Sequence, residues 1–581
     1  MLPLYFGPPN RPLFGAYHSP EAAARGTGVV LCNPFGHEEL HGHRALRHLA
    51  ERLASAGFAA LRFDYDATGD SAGDDREGGR VAAWRASVVQ AASALREKAR
   101  VSRVVLAGLR GGALLALLGA GDASAERVVM WMPVVSGRMH ARELLRLHKM
   151  LFPKKKGDGT PPEDEESLGF VLRKETAADL GKLDALALTQ KPAEGCLVIG
   201  GNDNPTEDKL LDKLRELGVE VEYHHLPGHP FLVTDPHRSE VPEPQIAAIV
   251  DHLSARYPAS GEAASAGGAA GASSGVVEGG PQGERAWQFS GANRRFGVLT
   301  PPKEKNGEKP AIVLMNAGSI HHIGPSRMFV RMARRWAELG YPVLRMDLSG
   351  IGESPVGEGS PENVPYPRDA VLDAQAAMDA LEKEGIARRF ILTGLCSGAD
   401  IAFRAGVIDR RVAGAWMVNP QAFYFPSSDS LKEFLKAEIN AKYYQSGLFD
   451  LERWKKMVRG EVDLLRVAGI LRAKVESSAR RRLARLFGDR MKAAQSPEAR
   501  DVIRDLRSMA ERGTDTFLLC SEDDPGLVYL MKYFGGGLQE LSGVRGFRRE
   551  VVQGTDHTFT PLWSQDALSE MLTQHLLKRH P

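Results

Sequence analysis

Cysteine is scarce in this chain of 581 residues, which has only Cys32, Cys196, Cys396 and Cys520. None lies in a C-x-x-C pair, so neither a zinc ribbon nor a disulfide framework is expected. Cys32, Cys196 and Cys520 fall in the apolar runs VVLCNP, CLVIG and FLLC and read as buried, reduced thiols, which suits a reducing compartment. Long apolar runs are also missing: none approaches the ~20 residues that span a bilayer. The N-terminal MLPLYFGPPNRPLFG lacks the basic and apolar regions of a leader, so the chain reads as cytoplasmic. Charge of one sign is missing as well. With 75 Lys and Arg against 73 Asp and Glu, the net charge is +2, which points to no nucleic-acid or membrane partner. What is present, 43% hydrophobic and 25% charged residues, is enough for more than one packed globular domain.

Residues 258–284, PASGEAASAGGAAGASSGVVEGGPQGE, contain almost no large apolar side chain. Such a stretch cannot offset its ordering entropy by burial and reads as a flexible linker, taken as 258–286. It separates a domain over 1–257 from one over 287–581. The two repeat each other. VVLCNP (29–34), the helical RALRHLAERLASAG (44–57) and AALRFDYDATGDS (59–71) are answered by AIVLMNAG (311–318), MFVRMARRWAELG (328–340) and PVLRMDLSGIGES (342–354). Asp64 and Asp347 are 283 residues apart, and Gly108 and Gly394 are 286 apart. The near-constant spacing indicates a tandem duplication. Apolar runs alternating with amphipathic patterns predict, in each copy, an α/β fold with a mostly parallel, doubly wound sheet and helices on both faces. Asp203 and Asp524 are 321 apart, so the second copy carries an insertion, placed within about 425–512 and expected to be a helical, basic lid.

Gly394-Leu395-Cys396-Ser397-Gly398 follows the apolar RFILT and precedes the helical ADIAFRAGV. A glycine-flanked nucleophile between strand and helix is the nucleophile elbow of the α/β-hydrolase fold. The helix N-terminus should favour a thiolate at Cys396. In this fold the acid and then the histidine follow along the chain. TFLLCSEDDPG supplies Asp524, with Asp523 as second choice, and RREVVQGTDHTFTP supplies His557. His557 would be the general base toward Cys396, and Asp524 would hold its tautomer. The backbone N–H groups of Ser397 and of Ala317 or Gly318, after the first strand, are the expected oxyanion donors. Ser397 is the rival nucleophile, one place late for the elbow. His321 and His322 read as solvated loop histidines. No metal or cofactor is expected.

The string Asp347-Leu348-Ser349-Gly350-Ile351-Gly352-Glu353-Ser354 is another habit of this fold. At these motifs the chain resembles the α/β-hydrolase superfamily. Within it, the chain resembles the hydrolase pair found beside exosortase A systems in Gram-negative exopolysaccharide loci. One member of that pair has a GLC elbow, like the second copy, and the other a GLR elbow, like the first. The lid string RWKKMVRGEVD adds to the likeness. Such loci often include an acyl carrier protein, which the resemblance makes a relevant partner.

The first copy has Gly108-Leu109-Arg110-Gly111-Gly112 at its elbow. A guanidinium stays protonated and cannot attack a carbonyl. Asp203 and His229 stand where acid and base would be, but without a nucleophile they cannot transfer an acyl group. The first copy therefore reads as a non-catalytic partner, with Arg110 salt-bridged or holding an anion, or else as a site using His229 without a covalent step. His37, His41 and His43 read as a polar pocket rim. The lid, 427–512, holds 20 Lys and Arg against 13 Asp and Glu, densest at Arg480, Arg481 and Arg482. A solvated helix face is the plain reading, and a docking surface for a carrier protein or CoA phosphate the sharper one. The expected activity is that of a cysteine-dependent esterase, thioesterase or acyltransferase on acyl esters or thioesters. The alternatives are a non-catalytic acyl- or carrier-protein-binding scaffold and a proline-aminopeptidase-type peptidase.

Overall fold

The computed structural model describes residues 1–152, 166–201, 205–226, 236–259, 275–289, 294–304, 309–357, 359–367, 369–424, 497–522, 524, 527, 530, 534 and 540–581. The chain forms two compact units, one of Met1–Phe390 with Phe559–Pro581 and one of Ile391–Thr558.

The first unit opens with β1 (Leu2–Phe6), β2 (Leu13–His18), β3 (Thr27–Cys32), β4 (Ala59–Phe63), β5 (Arg103–Leu109) and β6 (Arg127–Trp131). The short β7 (Glu166–Ser167) and β8 (Phe170–Val171) pair with each other, and β9 (Gly195–Gly200) and β10 (Glu220–His225) follow. The eight-stranded sheet runs β1-β2-β4-β3-β5-β6-β9-β10. The strands from β4 on in this order are parallel, the mostly parallel sheet the sequence predicts, while β1 and β2 pair antiparallel to their neighbours, which it does not. Why β3 and β5 carry no polar residue after their first positions, Thr27 and Arg103, is visible in their packing. Successive side chains of a strand point to opposite faces. Val30, Cys32, Val104 and Leu106 join a core with α2 (Arg80–Ala99), α3 (Gly111–Gly119) and α6 (Pro205–Glu216). Val29, Leu31, Val105 and Leu109 join another with α1 (His37–Ser55) and α7 (Glu243–Arg256). A strand covered on both faces has no reason to alternate with polar residues. Between these elements lie α4 (Gly137–Leu151) and α5 (Lys174–Leu180).

The same unit continues with β11 (Gly275–Val277), β12 (Arg285–Phe289), β13 (Arg295–Thr300), β14 (Ala311–Met315) and β15 (Val343–Met346), in the order β11-β12-β13-β15-β14. Its helices here are α8 (Met328–Glu338), α9 (Ala370–Lys383) and, from the C-terminal segment, α12 (Leu562–Arg579). α8 buries Met328, Phe329, Met332, Ala333 and Trp336, and the Trp336 indole donates to Thr573 Oγ1 of α12 at 2.9 Å.

In the second unit β16 (Phe390–Leu395), β17 (Val412–Val418), β18 (Asp515–Ser521) and β19 (Phe547–Val552) lie in that order, with β17, β18 and β19 parallel. α10 (Ser397–Ile408) packs on β17 and on α11 (Pro497–Glu511). The order β12-β13-β15-β14 repeats β1-β2-β4-β3, and β16-β17-β18-β19 repeats β5-β6-β9-β10. Residues 425–496, most of the expected lid, lie outside the described residues. Among the described residues no helix is long and apolar enough to cross a membrane.

Candidate active site

Cys396 stands between β16 and α10 with φ 60° and ψ −120°, a backbone conformation L residues rarely adopt. Two contacts hold it there. Its N–H donates to Val418 O at 3.0 Å, and its carbonyl accepts from Ala399 N at 3.1 Å. Gly394 is required two residues earlier, in β16: a Cβ there would lie 2.7 Å from the Gly398 backbone. The thiol is partly exposed, whereas the Ser397 side chain is fully buried at the start of α10. That difference counts against Ser397 as the attacking group. Cys32, Cys196 and Cys520 are buried and unpaired, and burial pushes the first two thiols up to about 12.

His557 follows β19, and Asp524 follows β18. The carboxylate of Asp524 is fully buried and takes a hydrogen bond from His557 Nδ1. His557 also hydrogen-bonds the Cys396 thiol. Burial opposes charge on this imidazole, but Asp524 and Cys396 outweigh it and hold its pKa well above 6.5. The three side chains thus lie next to one another within one unit. Asp523 lies outside the described residues.

The elbow of the first copy has the same backbone with different chemistry. Arg110 has φ 54° and ψ −117°, donates its N–H to Trp131 O at 2.9 Å and accepts from Ala113 N at 3.1 Å. Its guanidinium is held by Glu38 at 2.9 Å and Glu143 at 3.0 Å, with His140 3.4 Å from the same Glu143 carboxylate. Burial works against the Arg110 charge, and the two carboxylates reverse that and raise its pKa. Asp203, His229, Arg480, Arg481 and Arg482 lie outside the described residues.

Ala317 and Gly318 occupy the turn after β14, where Gly318 has φ +61°. The expectation of solvated histidines beside them is overturned. His321 and His322 are both buried. His322 Nδ1 meets Asp347 at 2.8 Å, its Nε2 meets Asp70 at 2.6 Å, and His321 stacks on His43 at 4.0 Å between centroids. The neighbouring copy covers this loop, which periodicity within one strand cannot reveal. His41 and His43 line a small polar pocket with Arg44, Arg47 and Ser319, while His43 also pairs with Glu353 at 2.9 Å. No group of three or more His, Cys, Asp or Glu among the described residues has the arrangement of a metal site.

Residues 307–450 match the family model for serine aminopeptidase, S33. The match covers the elbow at Cys396, and the architecture described above is the α/β-hydrolase fold. Among solved structures it is similar to Est1E from Butyrivibrio proteoclasticus with ferulic acid bound, at 16% identity over 44% of this chain and 98% of that one, with a TM-score of 0.33. It is also similar to a highly thermostable carboxyl esterase from Bacillus coagulans, at 16% identity over 44% and 99% of the two chains, TM-score 0.33. Proline iminopeptidase of Mycobacterium smegmatis matches at 15% identity over 43% and 97%, TM-score 0.30. At these scores none of them assigns a residue or an activity. A comparison with curated proteins finds no match.

Around Asp524 and His557 stand further residues that sequence reasoning missed. Gln421, in the Asn419-Pro420-Gln421 turn after β17, places its amide nitrogen 3.3 Å from both Asp524 Oδ1 and His557 Nδ1. Asn419 donates to His557 O at 2.7 Å and to Ser521 Oγ at 3.0 Å. The turn is fastened by Asp400, one turn into α10, whose carboxylate accepts from the backbone N–H groups of Gln421 (3.3 Å), Ala422 (3.1 Å) and Phe423 (2.8 Å). A polar Asn-Pro-Gln after a wholly apolar strand was the available signal.

Burial pushes the Asp400 carboxyl from 3.8 up to about 7, against the pull of those N–H donors. Between these values the folded protein keeps the proton while the unfolded chain gives it up. The contribution of this site to stability therefore falls as pH rises from about 4 to about 7. Asp400→Asn cannot titrate, so its Tm should change less between pH 5 and pH 7.5 than the wild-type Tm does. Thermal unfolding at the two pH values checks this, and an undiminished difference would remove Asp400 as its source.

Proposed function

We propose that this protein is a cysteine-dependent acyl hydrolase or acyltransferase that works through an acyl-Cys396 intermediate. The observation that carries the reading is the Asp524–His557–Cys396 relay at a strained strand-to-helix turn. In this reading the thiol proton passes to His557 and the sulfur attacks an ester or thioester carbonyl. The tetrahedral oxyanion is received by backbone donors, Ser397 N–H among them. Its collapse breaks the bond to the leaving alcohol or thiol, which takes the proton from His557. Water or an acceptor, deprotonated by His557, then attacks the acyl-thioester, releases the acylated product and returns the thiol. Asp524 fixes the imidazole and stabilises its charge.

The first copy is then a non-catalytic partner, because Arg110 occupies the nucleophile's place and two carboxylates already engage it. The GLR and GLC elbows on one chain fit the exosortase-associated pair, and an acyl carrier protein or CoA thioester fits as acyl donor. A cytoplasmic site of action goes with such donors. A second reading, hydrolysis of N-terminal peptide bonds, is favoured by the aminopeptidase family model over 307–450. A panel of acyl-thioesters, p-nitrophenyl esters and aminoacyl-naphthylamides separates the readings. Acyl-thioesters and esters should be turned over, with an acyl adduct on Cys396 visible by intact mass. Turnover confined to the naphthylamides would replace the first reading by the second.

The charge state of His557 gives a further expectation. Because Asp524 helps hold that imidazole protonated, Asp524→Asn lets it lose its proton at lower pH. The alkaline limb of the acyl-transfer pH profile should then move to lower pH. An unmoved limb would mean that Asp524 does not tune this base.

A further inference from the structure

The duplication leaves a mark inside the first unit that neither elbow explains. The turn after β4 and the turn after β15 share one layout, and at the constant spacing of 283 residues Arg62 answers Arg345 and Asp70 answers Glu353. Each carboxylate is bound by the other copy. Glu353 receives Arg62 Nη2 at 2.7 Å and Nη1 at 2.8 Å, and His43 Nε2 at 2.9 Å. Asp70 receives Arg345 Nη1, and His322 Nε2 at 2.6 Å. So each turn carboxylate meets one arginine from the partner's strand and one histidine from the partner's first loop or helix. Both ion pairs are buried, with side chains no more than 6% exposed. Between them Phe14 of β2 and Phe296 of β13 meet at 6.3 Å between centroids, in a small core with Ala286 and Val298. Arg327 adds bonds to Gly69 O at 2.8 Å and Ser71 O at 2.9 Å.

Contacts in which residue i of one copy meets residue j of the other, and j meets i, are the signature of an isologous, two-fold interface. We propose that the first copy docks on the second through an internal two-fold interface built on the Arg62–Glu353 and Arg345–Asp70 pairs. The partner this surface fits is another α/β-hydrolase copy of the same kind, and the covalent linker is not what holds the two together. The two-fold is approximate. His322 passes the contact on to Asp347, whereas the carboxylate of Asp64, the counterpart of Asp347, accepts from Asp70 N within its own turn.

The test uses the full chain with a protease site placed within 260–274 and cut after folding. The fragments of the cut wild type should co-elute as one species, and should still do so in about 1 M NaCl, because buried pairs are little screened. Glu353→Gln strands the buried Arg62 and should weaken reassociation by a factor of about 100 or more, and Asp70→Asn should weaken it measurably but less, because Arg345 keeps Glu284 at 3.1 Å. Each uncut variant is first checked for wild-type elution and cooperative unfolding. Cut wild-type fragments that separate, or variants that reassociate as well as wild type, would overturn the proposal. If neither variant folds, the high-salt elution of the cut wild type decides, with separation counting against it.

Discussion

Cys396→Ala should lower kcat for acyl transfer by about 10⁴-fold or more, leaving thermal unfolding nearly unchanged. The expectation rests on the position of the sulfur. Cys396 is partly exposed at the elbow and hydrogen-bonded to His557, and its counterpart in the other copy is a guanidinium. Ser397 is fully buried, so no neighbouring hydroxyl takes over. Alanine fits the same turn, because the Cys396 backbone is held by Val418 and Ala399 rather than by the thiol. His557→Ala should cost a similar factor, and the double variant little more, since the two act as one unit. Steady-state rates with the best thioester of the panel measure all three. Retention of a tenth or more of the wild-type rate in Cys396→Ala would end the covalent reading.

The strands and the elbows were legible because their signals are local. RFILTGLCSGAD and RVVLAGLRGGAL each place an apolar strand, a glycine and a helical run in succession, and β16–α10 and β5–α3 form at those points. The spacing of 283 residues, read from the sequence alone, also aligns Arg62 with Arg345 and Asp70 with Glu353, although nothing in it says that the pairs cross. What could not be read were contacts between distant segments. Asp70 and His322 are 252 residues apart, and Gln421 stands 103 residues from Asp524. Loop position suggested solvent for His321 and His322, and burial by the neighbouring copy decided otherwise. Glu38 and Glu143 as the partners of Arg110 were equally hidden, because a charged residue on a helix reads as a solvated face until the facing element is known.

Duplicated residues with different surroundings give the largest stability contrast expected of this chain. Asp347→Asn should destabilise the fold by about 3–5 kcal/mol, and Asp64→Asn by less than about 1 kcal/mol. The two aspartates stand at the same place in their turns, and each turn closes the same way. Ser354 Oγ donates to Asp347 O at 2.7 Å, and Ser71 Oγ donates to Asp64 O at 2.7 Å. The carboxylates differ. Asp347 Oδ1 accepts from Asn316 Nδ2 (2.9 Å) and His322 N (2.7 Å), and Oδ2 accepts from His322 Nδ1 (2.8 Å) and Glu353 N (3.0 Å). An amide in its place turns one oxygen into a donor facing donors. It also takes a counter-charge from His322, whose own burial opposes charge but which Asp347 and Asp70 together push up to about 10. Burial and then the nearby Asp70 carboxylate raise Asp64 to about 7, and the backbone N–H of Asp70 only partly offsets them. A neutral asparagine can keep that one accepted bond and shed the unfavourable charge, so Asp64→Asn should be least costly at alkaline pH. Urea unfolding of both variants at pH 8 measures the contrast. Equal losses would mean that the closing of the turn, rather than the donors gathered by its carboxylate, sets the stability of this motif.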